Sequence, residues 1–186
     1  MQALDLLLNR VSVGRLLDPA PDAVQRDLLF RAALRAPDHG QLRPWRFLCV
    51  EGEARVRLGE LFAKALLAGN PDAKPEALDK ARNMPLRAPL LVVVIATLHA
   101  HPKVPEQEQL LAAGCAAHGI VLAAHAQGLG AIWRTGELAY AAPVMAGLGL
   151  AGNERIVGFL YLGSVVGERR TPLALAPADF VSDWAG

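Results

Sequence analysis

Net charge is nearly absent from this chain: 19 Lys and Arg stand against 18 Asp and Glu, leaving +1 at neutral pH. That balance builds no basic face for a polyanion, so a nucleic-acid partner is excluded. Cysteine is sparse, with only Cys49 and Cys115. One lies in Phe47-Leu48-Cys49-Val50 and the other in an alanine-rich helical stretch. Both are expected as buried free thiols of a reducing cytosol rather than as a disulfide. The start, Met1-Gln2-Ala3-Leu4-Asp5, has no basic segment, and Asp5 interrupts its apolar run, which argues against a signal peptide. Residues 90–96 are strongly apolar but far short of the roughly 20 residues a membrane helix takes. A soluble cytoplasmic protein is expected. Repeats, linkers and low-complexity segments are missing, as are a Gly-x-Ser-x-Gly elbow and a phosphate-binding P-loop. His99-Ala100-His101 with Glu106 and Glu108 has the composition of a metal site without its ligand spacing, so no metal is expected.

Apolar residues, by contrast, are plentiful at 53%, with 20% charged and a mean hydropathy of +0.26. A 186-residue chain can bury a core as one domain, 1–186, without staples. This composition holds more apolar surface than a monomer of that size needs, and a subunit interface is the natural place for it.

Local patterns set out the elements. Residues 2–9 read as a short helix with Leu4, Leu7 and Leu8 on one side. Asp22 and Gln25 form a capping box that opens a helix through Ala33, and Pro37 closes it. Residues 46–50 read as a strand. Residues 53–67 carry Leu58, Leu61, Phe62, Ala65 and Leu66 at helical spacing, stopped by Gly69-Asn70-Pro71, and Pro75 opens a further short helix. Leu90-Leu91-Val92-Val93-Val94-Ile95 is a β-branched run without polar alternation, the mark of a central strand covered on both faces. Pro105 opens the longest helix, which ends at Gly128. Its Ala113, Gly114, Ala116, Ala117, Gly119, Ala123 and Ala124 are small enough for another backbone to approach, either in the core or at a dimer axis. Residues 156–162 form another buried strand, and Pro177 begins a short turn. Helices and apolar strands around one sheet predict an α+β sandwich. The order of its strands is not derivable from this pattern.

Three segments carry the chemistry. Asn9-Arg10-Val11-Ser12 stands where a helix gives way to loop. Arg35-Ala36-Pro37-Asp38-His39-Gly40-Gln41-Leu42-Arg43-Pro44-Trp45 is a polar, proline-bounded loop before a strand. Gly128-Leu129-Gly130-Ala131-Ile132-Trp133-Arg134-Thr135-Gly136 follows the long helix, and its glycines permit a tight reversal. It is not a dinucleotide fingerprint, because no strand precedes it and no helix opens at it. Together, and in this order, the three resemble the flavin-binding segments of the nitroreductase family, most of all its small, YdjA-type members. The likeness runs over essentially the whole chain. The family usually reads Arg-Arg-Ser or Arg-His-Ser where Val11 stands here, Asn at Gln41 and Gln at Arg43.

The resemblance implies a nitroreductase fold, in which a central mixed sheet is flanked by helices and two subunits intertwine as a homodimer with FMN at their interface. It implies that Arg10, Val11 and Ser12 hold the FMN tail, with Arg15 a further candidate. Trp133, Arg134 and Thr135 would line the ring, and Arg35 and His39 would reach the FMN of the partner subunit. The nicotinamide nucleotide would lie near Ala123, Ala124, His125, Ala126, Gln127 and Gly128. NAD(P)H would then pass hydride to flavin N5 and on to an electrophilic acceptor such as a nitroaromatic or quinone, the cofactor supplying the reactive atom in place of a catalytic triad. Arg169-Arg170 is expected as a solvated tail in preference to a phosphate contact. Cys115, His118 and His125 are expected to pack against a partner helix. The alternatives are oxygen-dependent or dehalogenating flavin chemistry, a flavin- or partner-binding module without turnover, and a structural dimer without cofactor.

Overall fold

A computed structural model describes residues 2–186. The chain runs through helix α1 (Ala3–Asn9), strand β1 (Leu16–Leu17), α2 (Ala23–Ala33), β2 (Trp45–Glu51), α3 (Glu53–Gly69), α4 (Pro75–Asn83), β3 (Leu90–Thr97), α5 (Glu106–Ala126), β4 (Gly130–Arg134), α6 (Glu137–Tyr140), α7 (Ala142–Gly147) and β5 (Glu154–Val165). The expected capping box is formed: the Gln25 amide donates to the Asp22 carboxylate at 2.8 Å, and the Asp22 amide donates to Oε1 of Gln25 at 2.9 Å. Pro75 opens α4, Pro105 caps α5, and Asn70 ends α3, all as the sequence predicts.

β3 lies at the centre, and all of Leu90 to Ala96 is inaccessible to solvent. Its residues alternate between two cores. Leu91, Val93 and Ile95 face a layer built on α3 with Leu58 and Phe62, whereas Leu90, Val92 and Val94 face α5 and α2 with Ile120 and Leu29. Each such side chain contributes about 1.5–3 kcal/mol relative to exposure, so this one strand anchors both layers. Every pairing in the five-stranded sheet is antiparallel: β2 with β3, β3 with β5, β4 with β5, and β1 with β5. The implied mixed sheet is therefore corrected for the single chain. β3 and β4 do run parallel, joined by α5, but β5 inserts between them and pairs with both.

α5 resolves the choice between core and dimer axis in part. Ala113, Ala116, Ala117 and Ala124 are buried against the sheet and α2, and a Cβ on Gly119 would stand 3.0 Å from the Ala32 carbonyl oxygen. The close approach is thus to α2 of the same chain. The helix is long and apolar enough to cross a membrane, yet half of that window is buried inside the fold. Its outer side exposes Leu111, Cys115 and His118. Cys115 and Cys49 are both exposed and free, which corrects their expected burial. Cys115 sits on the side of α5 away from the sheet, and Cys49 lies on β2, which among the described residues is an edge strand paired with β3.

Candidate functional site

The first and third segments meet. α1 ends at Asn9, and Arg10 turns extended (φ −62°, ψ 127°), so the chain runs on alongside β4. There the Val13 amide donates to the Ala131 carbonyl at 3.0 Å. Val11 is buried, while Arg10 and Ser12 are half-buried. On the other side, α5 stops at Gln127 because Gly128 takes φ +80°, a left-handed conformation that costs glycine little. The Leu129 amide closes the turn on the Ala124 carbonyl at 2.9 Å, and β4 starts at once.

Strand alternation then sends Trp133 and Arg134 to opposite faces. Trp133 packs into the α5 layer, where its ring fills the space over Gly158; a Cβ there would fall 2.1 Å from Nε1. This places its indole against the α5 layer, away from the face that carries Arg134. Arg134 points to the α3 layer, its guanidinium carbon 5.8 Å from the centre of the Tyr161 ring. Its Nε is buried with no hydrogen-bond partner among the described residues. Arg134 and Thr135 line a cavity of about 340 Å³ together with Phe62, Arg87, Phe159 and Tyr161.

The tail returns to the same corner. Arg169 is half-buried and donates to the Gly128 carbonyl at 2.7 Å and the Leu129 carbonyl at 3.2 Å. Arg170 lines a cavity of about 580 Å³ with Arg10 and Val11, and none of its lining residues is acidic. The expectation of a solvated pair is thereby corrected for Arg169, which two carbonyls of the α5–β4 turn fix in place, while Arg170 is exposed as expected. His125, buried nearby, has its pKa lowered, first by desolvation and then by Arg169 and Arg10. The segment singled out for the nicotinamide nucleotide thus adjoins these cations. Ala124 and His125 in it are buried, Ala126 and Gly128 are exposed, and Gln127 donates to the Ala123 carbonyl at 3.1 Å.

The second segment stands apart. Arg35 and His39 are exposed, and Arg35 lines a separate cavity of about 380 Å³ with Asp38, Gln41, Arg43 and Trp45. Gln41 (φ 52°) and Arg43 (φ 51°) are left-handed, an arrangement held in part by the Arg43 amide donating to Oδ2 of Asp38 at 2.6 Å. Trp45 also packs against the α5 layer. His39 Nδ1 lies 2.7 Å from Glu108 Oε2, at the first turn of α5. Neither Arg10 nor Arg134 reaches this cavity within one chain.

These features can be set beside known proteins. The family model "Nitroreductase family" matches residues 7–164. The chain belongs to the nitroreductase family. The Escherichia coli (strain K12) protein named putative NAD(P)H nitroreductase YdjA is 46% identical over 164 residues, covering 88% of each chain. A crystal structure of a nitroreductase-like family protein from Bacillus cereus superposes with a TM-score of 0.85 at 22% identity, covering 100% of this chain and 97% of that one. A substitution variant of NfnB, described as an FMN and NADPH-dependent nitroreductase from a Sphigopyxis strain, gives a TM-score of 0.79 at 22% identity, with 100% of both chains covered. The nitroreductase fold expected from the three segments is therefore the fold of this chain.

Sequence reasoning missed residues that line these cavities or pack beside them. Arg87 lies in a short 3-10 turn after α4 with no motif around it, and Gly158 is unremarkable in an apolar strand. The signal for Arg170 was available, because a basic pair just beyond a buried strand has to leave the sheet near that strand's neighbours.

Proposed function

We propose that this member of the nitroreductase family is an NAD(P)H-dependent oxidoreductase that uses non-covalent FMN and works as a soluble homodimer of single-domain chains in the cytoplasm. The observation that carries the reading is the convergence of Arg10, Arg169 and Arg170 from both ends of the chain on the α5–β4 turn, without a carboxylate in the cavity that Arg10 and Arg170 share. Cations gathered without an acid suit a phosphate dianion. The buried, unpartnered Nε of Arg134 is a second fit, since such a donor is costly unless a ligand accepts from it.

Arg10, Ser12 and the backbone at Val11 would hold the FMN phosphate, aided by the tail arginines. The backbone of Trp133, with Arg134 and Thr135, would hold the ring, and a fixed cation at Arg134 favours the more negative, reduced form of a bound flavin. A bound flavin would supply the redox chemistry, hydride transfer from NAD(P)H to an electrophilic acceptor such as a nitroaromatic or quinone, and Ala123 to Gly128 would hold the nicotinamide nucleotide. Trp133 and the ladder of β4 keep the floor of the site dry and in register.

The dimer completes the arrangement. Leu4, Leu7 and Leu8 on α1, Leu111 on α5, and Leu173, Phe180 and Trp184 on the tail are exposed large apolar side chains that a lone chain leaves in water. Arg35 and His39, too far round the chain to join Arg10 and Arg134, would be supplied by the second subunit. An absorption spectrum of the purified protein, followed by chromatography of acid-released flavin, tests the proposal. FMN is expected; FAD, covalent flavin or a colourless protein overturns it.

A further inference from the structure

The cavity beneath Arg134 has a second cation that the flavin reading does not use. Arg87 lines it from the turn Met84–Arg87, opposite the β4 strand. Among the described residues, neither the Arg87 nor the Arg134 side chain makes an ion pair or hydrogen bond with another side chain, and no acidic residue lines the cavity. Glu137 lines an adjoining hollow together with Lys80. Burial raises the Tyr161 pKa, and both arginines pull it back down, so both guanidiniums act at one phenol. Apart from Thr135 and Gly136 the rest of the wall is apolar: Phe62 and Phe159 meet edge to face at 5.3 Å, beside Met84 and Leu138.

Arg134, half-buried with a buried and unpartnered Nε, and Arg87, exposed on the same cavity, present two cations with no carboxylate between them, a setting that suits an anion. Its size limits that anion. A cavity of about 340 Å³ is too small for a dinucleotide, whereas about 150 Å³ suffices for benzene. One ring with two substituents fits.

We propose that Arg87 and Arg134 form a carboxylate-binding pair for the electron acceptor, making single-ring aromatic acids that carry the reducible group the preferred acceptor class. The choice of acceptor rests on the oxidoreductase reading above; the anion site itself does not. The carboxylate would sit between the guanidiniums and the Tyr161 hydroxyl, its ring against the aromatic wall. Arg87 is then a specificity residue, sharing the cavity with Arg134 and Thr135 but outside the set that would hold FMN.

Calorimetric titration of the purified protein with benzoate and with benzamide, without any electron donor, tests the site. Benzoate should bind more tightly than its neutral analogue. Arg87→Ala should weaken benzoate about tenfold, as loss of one charge-assisted contact does, with Arg87→Lys recovering part of it because an ammonium keeps the charge but not the fork. Flavin content of both variants should match the parent. In turnover, the ratio of kcat/KM for para-nitrobenzoate to that for nitrobenzene should fall by the same factor in Arg87→Ala. Equal binding of benzoate and benzamide, or benzoate binding indifferent to both substitutions, overturns the proposal. So does an Arg87→Ala enzyme that loses discrimination between NADPH and NADH but keeps its acceptor ratio, since the cation would then read the donor's phosphate. A colourless protein that binds benzoate through Arg87 would uphold the anion site and sink the oxidoreductase reading.

Discussion

The Val13 amide donates to the Ala131 carbonyl at 3.0 Å, although 118 positions separate them. This bond fastens the segment after α1 to the strand that carries Arg134. A Cβ on Gly14, one residue further along, would stand 3.9 Å from the Arg134 guanidinium. The phosphate-facing and ring-facing groups of the proposed site therefore hang on one short ladder, and their separation is set by backbone geometry.

That shared ladder makes the roles of Arg10 and Arg134 separable. A charge-assisted hydrogen bond is worth roughly 1.5–3 kcal/mol, and for a two-electron couple about 1.4 kcal/mol equals about 30 mV. Arg134→Ala should lower the flavin midpoint potential by about 30 mV, the low end of that range because Arg134 is only half-buried. Arg10→Ala should chiefly weaken FMN retention, since a phosphate contact is the same in both redox states. Potentiometric titration of both variants beside the parent decides it; an unchanged potential in Arg134→Ala with a shifted one in Arg10→Ala reverses the two roles.

Gly158 is the floor on which Trp133 rests. Its Cβ in Gly158→Ala would overlap Trp133 Nε1, so the indole or the strand must move. Overpacking of this kind costs about 1–3 kcal/mol. The variant should lose FMN affinity as well as stability, and pairing it with Trp133→Leu should recover stability in chemical denaturation. If Gly158→Ala alone were as stable as the parent, the indole would not occupy that space.

Acid should attack the opposite end of the sheet. Glu154 joins three strands: Arg46 of β2 donates to its two oxygens at 2.5 and 2.7 Å, and Thr97 of β3 donates at 3.1 Å. The Ala151 amide adds a bond at 2.9 Å. The Arg46 bonds are the main cause of a Glu154 pKa held at about 2, with the Ala151 and Thr97 bonds adding to them. An unfolded glutamate titrates near 4.3, so the folded state binds fewer protons in between. The stabilisation is complete above about pH 5 and is lost as pH falls towards 2, a change on the order of 2 kcal/mol. Glu154→Gln should flatten that part of the stability curve measured by denaturant melts at each pH. A slope equal to the parent's would remove Glu154 from the account.

Subunit association can be read by sedimentation. The parent should behave as a dimer even when dilute, and Leu111→Asp, which puts a charge on the outer side of α5, should give monomers that have lost flavin. A monomeric parent that retained FMN would remove the basis for placing Arg35 and His39 across an interface.

What the sequence disclosed, and what it withheld, follows a physical divide. The caps at Asp22 and Pro105, the buried run of β3 and the helical stripe of α3 rest on contacts within a few residues, and each was legible. The motif residues Arg10 and Arg134 could be picked out, but not that Val13 and Ala131 join them. Strand β4 escaped notice because five residues beside two glycines show no period, and it is a strand only because β5 offers it a ladder. Cys49 was misplaced for the converse reason: apolar neighbours in sequence do not reveal that β2 is an edge. Arg87, and the carbonyls that seat Arg169, depend on where distant elements come to rest.

The opposite facing of Trp133 and Arg134 makes parity the site's addressing rule. One added residue in the turn between Gly128 and Gly130 would deliver the arginine to the α5 core and the indole to the cation-lined hollow, exchanging both cargoes at a stroke. Two added residues would restore the address and leave only a longer turn. The tolerance of this enzyme to insertions there should therefore be counted in even and odd, with length a secondary matter.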